Sequence, residues 1–345
     1  MNSSLQTQVT IVYPEIRAGS GTKSYVTNLF SGLDLLKFQY STIPIVKREI
    51  SILGRPFFGF ISQYLNSAIK TAGTPAVHSL SPSTIIRDTN IVTVHDILPL
   101  IREDLYLRTS MQKKVFKIGL KRTLSTPLIL LSSNVVKQEL LSKLSIDDRR
   151  LRVVPLSINH RTFYPTEEKP AFPEGKIIVV MVSDFNPRKR IDLVVRALRG
   201  QPDIEFYHMG PVNAWKSSHQ EIMLLAKGAQ NIHFLGEVDP VILRNYLSSA
   251  DIFVFLTEAE GFGFPPLEAM ACGTNVLVSD ISIFHETMGN LPIFVTNSEF
   301  CADDVRNAIK RKHPSKELVE SSMKYSLENY ARKMVGIYSE FGQGR

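Results

Sequence analysis

The stretch EAEGFGFPPLEAMACGTNVLVSD, residues 258–280, sets two carboxylates, Glu260 and Glu268, on either side of Gly-Phe-Gly-Phe-Pro-Pro. Pro265 and Pro266 suit the first turn of a helix, where an N–H would lack a partner in any case, and Leu-Glu-Ala-Met-Ala continues with strong helix formers. A helix is therefore expected from near Pro265. Its side chains lean back toward the N-terminus, so Glu268 projects toward the loop that holds Glu260. The positive end of the helix dipole favours both carboxylates in the ionised form, as acceptors for hydroxyl hydrogens. Gly261 and Gly263 are expected to leave backbone N–H groups accessible, and a helix N-terminus is a ready site for phosphate. A ligand with both hydroxyls and phosphates fits. Each residue alone also has a plainer role open to it, Glu268 as a capping charge and the glycines as a turn.

Other residues could join this chemistry. Arg188, Lys189 and Arg190 form a run of three cations, suited to an anionic ligand or to a solvated loop. His95 directly follows the apolar run NIVTV, and in open parallel sheets ligands bind beyond the carboxyl ends of strands. Gly19-Ser-Gly-Thr-Lys-Ser24 follows the first apolar run. Thr22 breaks the Gly-Lys pair of a Walker loop, and Ser24 stands where a dinucleotide fingerprint has its third glycine. Neither NTP hydrolysis nor NAD chemistry is indicated.

The elements that must position these residues are legible as apolar runs rich in Val and Ile. In the first half they are QVTIVYP (8–14), STIPIV (41–46), PAVHSL (75–80), NIVTVHD (90–96), PLILLSS (127–133) and RLRVVPL (150–156). In the second they are KIIVVMVS (176–183), IEFYHMG (204–210), NIHFLG (231–236), DIFVFL (251–256) and NVLVSD (275–280). Stretches with helical spacing lie between them. Strands apolar on both faces that alternate with helices make a parallel sheet covered on both sides. Two such sets predict an α/β chain of two doubly wound, Rossmann-like domains, 1–165 and 166–325, joined through NHRTFYPTEEKPAFPEG (159–175). SSMKYSLENYARKMVGIYSEF (321–341) reads as helical, and the C-terminal helix, 326–345, is expected to pack back on the first domain.

The pattern E-G-F-G-x-P-x-L-E-A-M-A-C-G-T resembles the nucleotide-sugar motif of retaining glycosyltransferases with the GT-B fold, specifically their family four, the group 1 glycosyl transferases. Further segments agree in order along almost the whole chain: AGSGTKSYVTNLFSGL (18–33), VTVHDILPL around His95, RVVPLSINHRTFYP (152–165), NPRKRIDLVVRAL (186–198) and FLGEV (234–238). The resemblance implies two Rossmann-like domains facing a cleft, the first on the acceptor side and the second holding the nucleotide sugar. It implies that Glu260 bonds hydroxyls of the donor sugar and that Glu268 holds the ribose. Lys189, with Arg188 sharing the work, would pair with the diphosphate, and His95 would reach the sugar from the other domain. Gly19 and Gly21 would approach the reacting phosphate, Glu237 and Val238 would border the base, and Gly261, Phe262, Gly263 and Phe264 complete the donor-binding stretch. Glu260, Lys189 and His95 are the expected catalytic set, with no metal and no cofactor beyond the nucleotide sugar. Cations and N–H dipoles aimed at a departing nucleoside diphosphate stabilise the charge it gains.

The chain departs from the family at two places. Ser183-Asp184 stands where many members end the strand in Gly-Arg, which sets an acid beside the expected diphosphate unless Arg188 substitutes. Leu156-Ser157 replaces the usual Asn-Gly or Leu-Gly at the join. An inactive, transferase-like binding protein and a nucleotide-sugar epimerase are the alternatives these residues leave open.

Composition sets the partners. Residues 1–165 carry 21 Lys and Arg against 10 Asp and Glu, and residues 166–345 carry 19 against 23, so the net +7 is concentrated in the first half. TSMQKKVFKIGLKRTL (109–124) and RPFFGFISQYL (55–65) mix basic and apolar residues in a way that suits peripheral contact with an anionic membrane and a lipid-linked acceptor. A helix with an ordinary core face and solvated lysines reads equally well. No nucleic-acid-binding signature accompanies the charge. Two cysteines, Cys272 and Cys301, exclude a disulfide framework, and the N-terminus lacks the regions of a signal peptide, so a cytoplasmic chain is expected.

Overall fold

Runs of Val and Ile without polar alternation fold as strands buried on both faces, and here they build two six-stranded parallel sheets. The computed structural model describes residues 9–14, 21–45, 51–52, 55–56, 75–212 and 215–342. The first sheet contains β1 (Val9–Pro14), β2 (Tyr40–Ile45), β5 (Ala76–Ser79), β6 (Ile91–Val94), β7 (Leu128–Leu131) and β8 (Leu151–Val153), in the order β2-β1-β5-β6-β7-β8. A short antiparallel pair, β3 (Ser51–Ile52) and β4 (Arg55–Pro56), stands apart. The second contains β9 (Ile177–Val182), β10 (Ile204–Met209), β11 (Ile232–Gly236), β12 (Ile252–Phe255), β13 (Val276–Ser279) and β14 (Ile293–Val295), in the order β11-β10-β9-β12-β13-β14. Every pairing within these two sheets is parallel. The chain is thus α/β, with two Rossmann-like domains.

By contacts it divides into residues 1–157 with 327–345, and residues 158–326. In the first unit, α1 (Gly21–Leu35) follows β1, and α2 (Ser110–Ser125) is capped by Thr109, whose side chain accepts from the Gln112 N–H at 3.2 Å. In the second, α3 (Ile191–Leu198) buries Ile191, Val194, Val195 and Leu198, one stripe at helical spacing. Each such side chain taken wholly out of water contributes about 1.5–3 kcal/mol. α4 (Phe264–Ala271) opens at Phe264, one residue before the expected start. α5 (Leu327–Gly342) buries Tyr330, Ala331, Met334, Ile337 and Tyr338 and lies against α1. Their backbones come close at Gly32, where a Cβ would meet both the Ala331 Cβ and the Leu327 carbonyl at 2.9 Å.

Candidate functional site

In the second sheet β9 and β12 are neighbours, with β10 and β11 on one side and β13 and β14 on the other. The connections therefore leave β9 and β12 in opposite directions, and open α/β sheets bind ligands beyond the carboxyl ends of strands at such a point. β9 ends at Val182 and leads to a short 3-10 turn, Pro187–Lys189; β12 ends at Phe255 and leads through Thr257 to Glu260. Asn186 caps the turn by accepting from the Arg188 N–H at 3.2 Å. Arg190 then takes φ 47°, a left-handed conformation that costs a non-glycine residue about 1–2 kcal/mol. Its guanidinium is held by Asp192 at 3.2 Å. Backbone strain of this kind tends to collect at functional sites.

Arg188 and Lys189 converge on Glu260. Oε1 of the carboxylate accepts from Arg188 Nη1 and from Lys189 Nζ, and lies 3.3 Å from Thr257 Oγ1. Arg188 Nη1 also donates to the Ala259 carbonyl at 2.6 Å. All three side chains are nearly buried, with 12% of Arg188, 9% of Lys189 and 10% of Glu260 exposed. Lys189 Nζ rests 4.5 Å from the centre of the Phe255 ring. Burial pushes the Glu260 carboxyl up, but the charges of Arg188 and Lys189 outweigh it and hold the group below the usual carboxylate range. Burial, with the Arg188 charge beside it, lowers the Lys189 ammonium against the opposing pull of Glu260 and Asp184. Asp184, half-buried, therefore acts on Lys189 directly. Among the described residues Glu260 Oε2 makes no hydrogen bond, and Lys189 Nζ bonds only to Glu260. One carboxylate oxygen and further lysine N–H groups remain for a ligand that carries hydroxyls and an anion.

Glu268 corrects one expectation. It is the fifth residue of the eight-residue α4, past the first turn, and only 9% exposed. With no hydrogen-bond or ion-pair partner among the described residues, its carboxyl is pushed by burial up to about 7, so ionisation is not favoured as expected. The glycines are corrected as well: Gly261 and Gly263 are buried rather than open. Gly263 has φ 89° at the N-cap of α4, and a Cβ there would meet the Phe284 ring at 2.8 Å, so both conformation and space demand glycine. Phe262 is buried edge-on to Tyr325 at 5.1 Å, and Phe264 is half-buried against Phe262.

His95 follows β6 in the first domain and is half-buried. Its Nε2–H donates to the Leu80 carbonyl at 3.1 Å, and Tyr25 of α1 meets it edge-on at 4.2 Å. Nδ1 is buried and unpartnered among the described residues. Burial pushes the ring down to about 4, against the Leu80 bond, so the neutral imidazole presents a lone pair at Nδ1. Gly21 opens α1, while Gly19 lies outside the described residues. Glu237 is exposed and Val238 half-buried, both just beyond β11 at the sheet edge. Arg188, Lys189 and Glu260 thus form one cluster. Glu268 makes no bond to it, and Glu237 stands apart. Sequence reasoning missed Thr257 and the Ala259 carbonyl, which carry no spacing signal of their own.

Residues 165–330 match the family Glycosyl transferases group 1. The second domain belongs to this family. The chain is similar to the O-antigen chain mannosyltransferase RfbU of Salmonella typhimurium, 28% identical over 268 residues that cover 75% of this chain and 73% of that protein. It is also similar to the serotype-specific mannosyltransferase WbdA of Escherichia coli, 24% identical over 58% of this chain and spanning only 26% of that protein. Among solved structures, sucrose-phosphate synthase from Thermosynechococcus elongatus superposes with a TM-score of 0.77 at 17% identity, covering 97% of this chain and all of that one. At that identity the likeness carries the fold alone, a GT-B fold. The cluster of Arg188, Lys189 and Glu260 at β9 and β12 lies within the matched residues. No group of three or more His, Cys, Asp or Glu among the described residues is arranged to hold a metal ion.

Proposed function

We infer that this chain is a retaining, metal-independent glycosyltransferase that moves a hexose from a nucleoside-diphosphate sugar to a hydroxyl acceptor on a glycan or lipid-linked saccharide. The observation that carries the reading is the convergence of Arg188 and Lys189 on Glu260 at the switch point of the second sheet, with Glu260 Oε2 unbonded. A diphosphate placed on the two cations sets its sugar beside that free carboxylate oxygen, and Glu268 accepts from the ribose once ionised. The names of the relatives favour mannose as the sugar, and GDP-mannose is the donor proposed for test.

In the reaction the acceptor oxygen bonds to the anomeric carbon on the face from which the diphosphate leaves. The bond from that carbon to the phosphate oxygen breaks, and the acceptor proton passes to the leaving phosphate. Positioning and stabilisation of the leaving group supply the catalysis, with Arg188 and Lys189 drawing off the growing negative charge. Asp184 opposes this, and Arg188 offsets it in place of the family's usual arginine.

The first-domain helix α2 sets Met111 and Ile118, 53% and 46% exposed, among the exposed Lys114, Lys117 and Lys121, while Val115, Gly119 and Thr123 face the core. This supports peripheral contact with an anionic membrane, which we place at the cytosolic face. No helix among the described residues is long and apolar enough to cross a membrane. Co-sedimentation with vesicles containing anionic lipid, but not with neutral ones, is expected; no binding at low salt ends that part of the reading. RPFFGFISQYL lies almost wholly outside the described residues.

A thermal-shift screen against GDP-mannose, UDP-glucose and ADP-glucose, followed by measurement of nucleotide release, tests the whole. Stabilisation by GDP-mannose with release of GDP in excess EDTA is expected. Stabilisation by none of them overturns the reading, and stabilisation without any release favours the binding-protein alternative.

A further inference from the structure

Once β12 ends at Phe255, no strand ladder holds the segment that carries Glu260. Besides the Glu258 N–H, which donates to the Arg188 carbonyl at 2.9 Å, a ring of hydrogen bonds from the end of β13 and from the turn that follows β14 does. The Thr257 N–H donates to Ser279 Oγ at 2.7 Å, the Ser279 hydroxyl donates to Asn297 Oδ1 at 2.5 Å, and Asn297 Nδ2 donates to the Thr257 carbonyl at 3.0 Å. The ring takes both backbone groups of Thr257. It also fixes the Asn297 amide, because a carbonyl can only accept and the one Ser279 proton must go to Oδ1. Thr257 then reaches forward: its Oγ1 lies 3.1 Å from the Ala259 carbonyl and 3.3 Å from Glu260 Oε1. Thr257 and Ser279 are buried, whereas Asn297 is half-buried on the wall of a cavity of about 610 Å³ that Arg190, Ser279 and Asp280 also line.

We propose that Asn297 is a positioning residue for Glu260. It acts on Glu260 through Thr257. It holds Thr257 from the far side, and Thr257 sets the level at which Glu260 meets Arg188, Lys189 and the donor sugar. This rests on the reading of Glu260 as a donor-site residue. Because Asn297 faces a cavity rather than the core, its truncation leaves no enclosed void.

The test uses the full chain with Asn297→Ala, Asn297→Asp and Glu260→Gln, and two readouts. Asn297→Asp keeps the side chain's size and its acceptor toward Ser279 but turns an oxygen toward the Thr257 carbonyl, so it must fail as Asn297→Ala does. Hydrogen exchange at the Thr257 amide is expected to quicken about tenfold in both Asn297 variants. For GDP release from GDP-mannose, kcat is expected to fall about tenfold with KM changed less than about threefold, and Asn297→Ala is expected to add nothing in the Glu260→Gln background. Unchanged exchange in both Asn297 variants overturns the inference, as does a full tenfold loss that persists when Glu260 is already Gln. GDP release at the normal rate by Glu260→Gln overturns instead the donor-site reading, and the exchange result still decides whether Asn297 holds the loop.

Discussion

Replacing Glu260 by Gln keeps the shape of the side chain and removes the one carboxylate on which two nearly buried cations converge. Breaking a buried pair by removing one partner costs about 3–5 kcal/mol, because the remaining charge is left uncompensated. In a domain the size of residues 158–326, each kcal/mol shifts the melting point by about 2–4 °C, so a fall of roughly 6–20 °C is expected. The sign of the pH dependence follows from the folded carboxyl lying below its ordinary value of 4.5. The stability it contributes is present above that value and is lost as pH falls through the folded one, so the gap between wild type and variant closes in acid. A nucleoside diphosphate brings negative charge to the same two cations. At a hundred times its dissociation constant a ligand adds about 2.7 kcal/mol, and GDP is expected to stabilise Glu260→Gln at least as much as the wild type, since no carboxylate competes with it. Thermal melting at pH 7.5 and at stepwise lower pH to the acid limit of folding, with and without GDP, measures all of this. A loss under about 1 kcal/mol at pH 7.5, or a gap that does not close in acid, refutes the charge accounting.

Glu268 should behave oppositely. Its folded value of about 7 exceeds the ordinary 4.5, so its contribution is fully present below pH 4.5 and lost as pH rises through 7, a change of about 3 kcal/mol that Glu268→Gln should abolish in melts across that range. If Glu268 accepts from the ribose, GDP affinity should weaken by up to tenfold per pH unit below about 7, with proton release seen calorimetrically in buffers of different ionisation enthalpy. Gly263→Ala, strained by its positive φ and by the Phe284 ring, should lose about 1–3 kcal/mol in urea unfolding. Gly32→Val should lose at least as much by prising α5 from α1, visible in the same experiment.

The eleven apolar runs all became strands because a parallel sheet covered on both faces draws Val and Ile to most of its positions, and the polar residues it does bury, such as Thr10, His78 and His208, are too few to break the runs. β14 escaped notice for the converse reason. Ile293, Phe294 and Val295 form a three-residue edge strand that is only half-buried, and so small a patch leaves little periodicity to read. The hairpin at Ser51 and Arg55 is two residues long on each side and shows no pattern at all. Within the site, Glu260, Arg188 and Lys189 were legible as types and spacings, yet their mutual ion pairing was not. That depends on β9 and β12 becoming neighbours across the switch point, a property of sheet order and not of local sequence. The Glu268 carboxyl was misjudged because burial outweighs the helix dipole once the residue lies past the first turn. Asn297 lies 37 residues beyond Glu260, in a loop that gives no hint of its bond to Thr257.

The central claim is that Lys189, with Arg188, holds the diphosphate of the donor. Titration calorimetry of GDP into wild type and Lys189→Ala tests it most directly. A charge-assisted hydrogen bond contributes about 1.5–3 kcal/mol, so the dissociation constant of the variant is predicted to rise by about ten- to a hundredfold. An affinity within about twofold of wild type, well under 1 kcal/mol, contradicts the account.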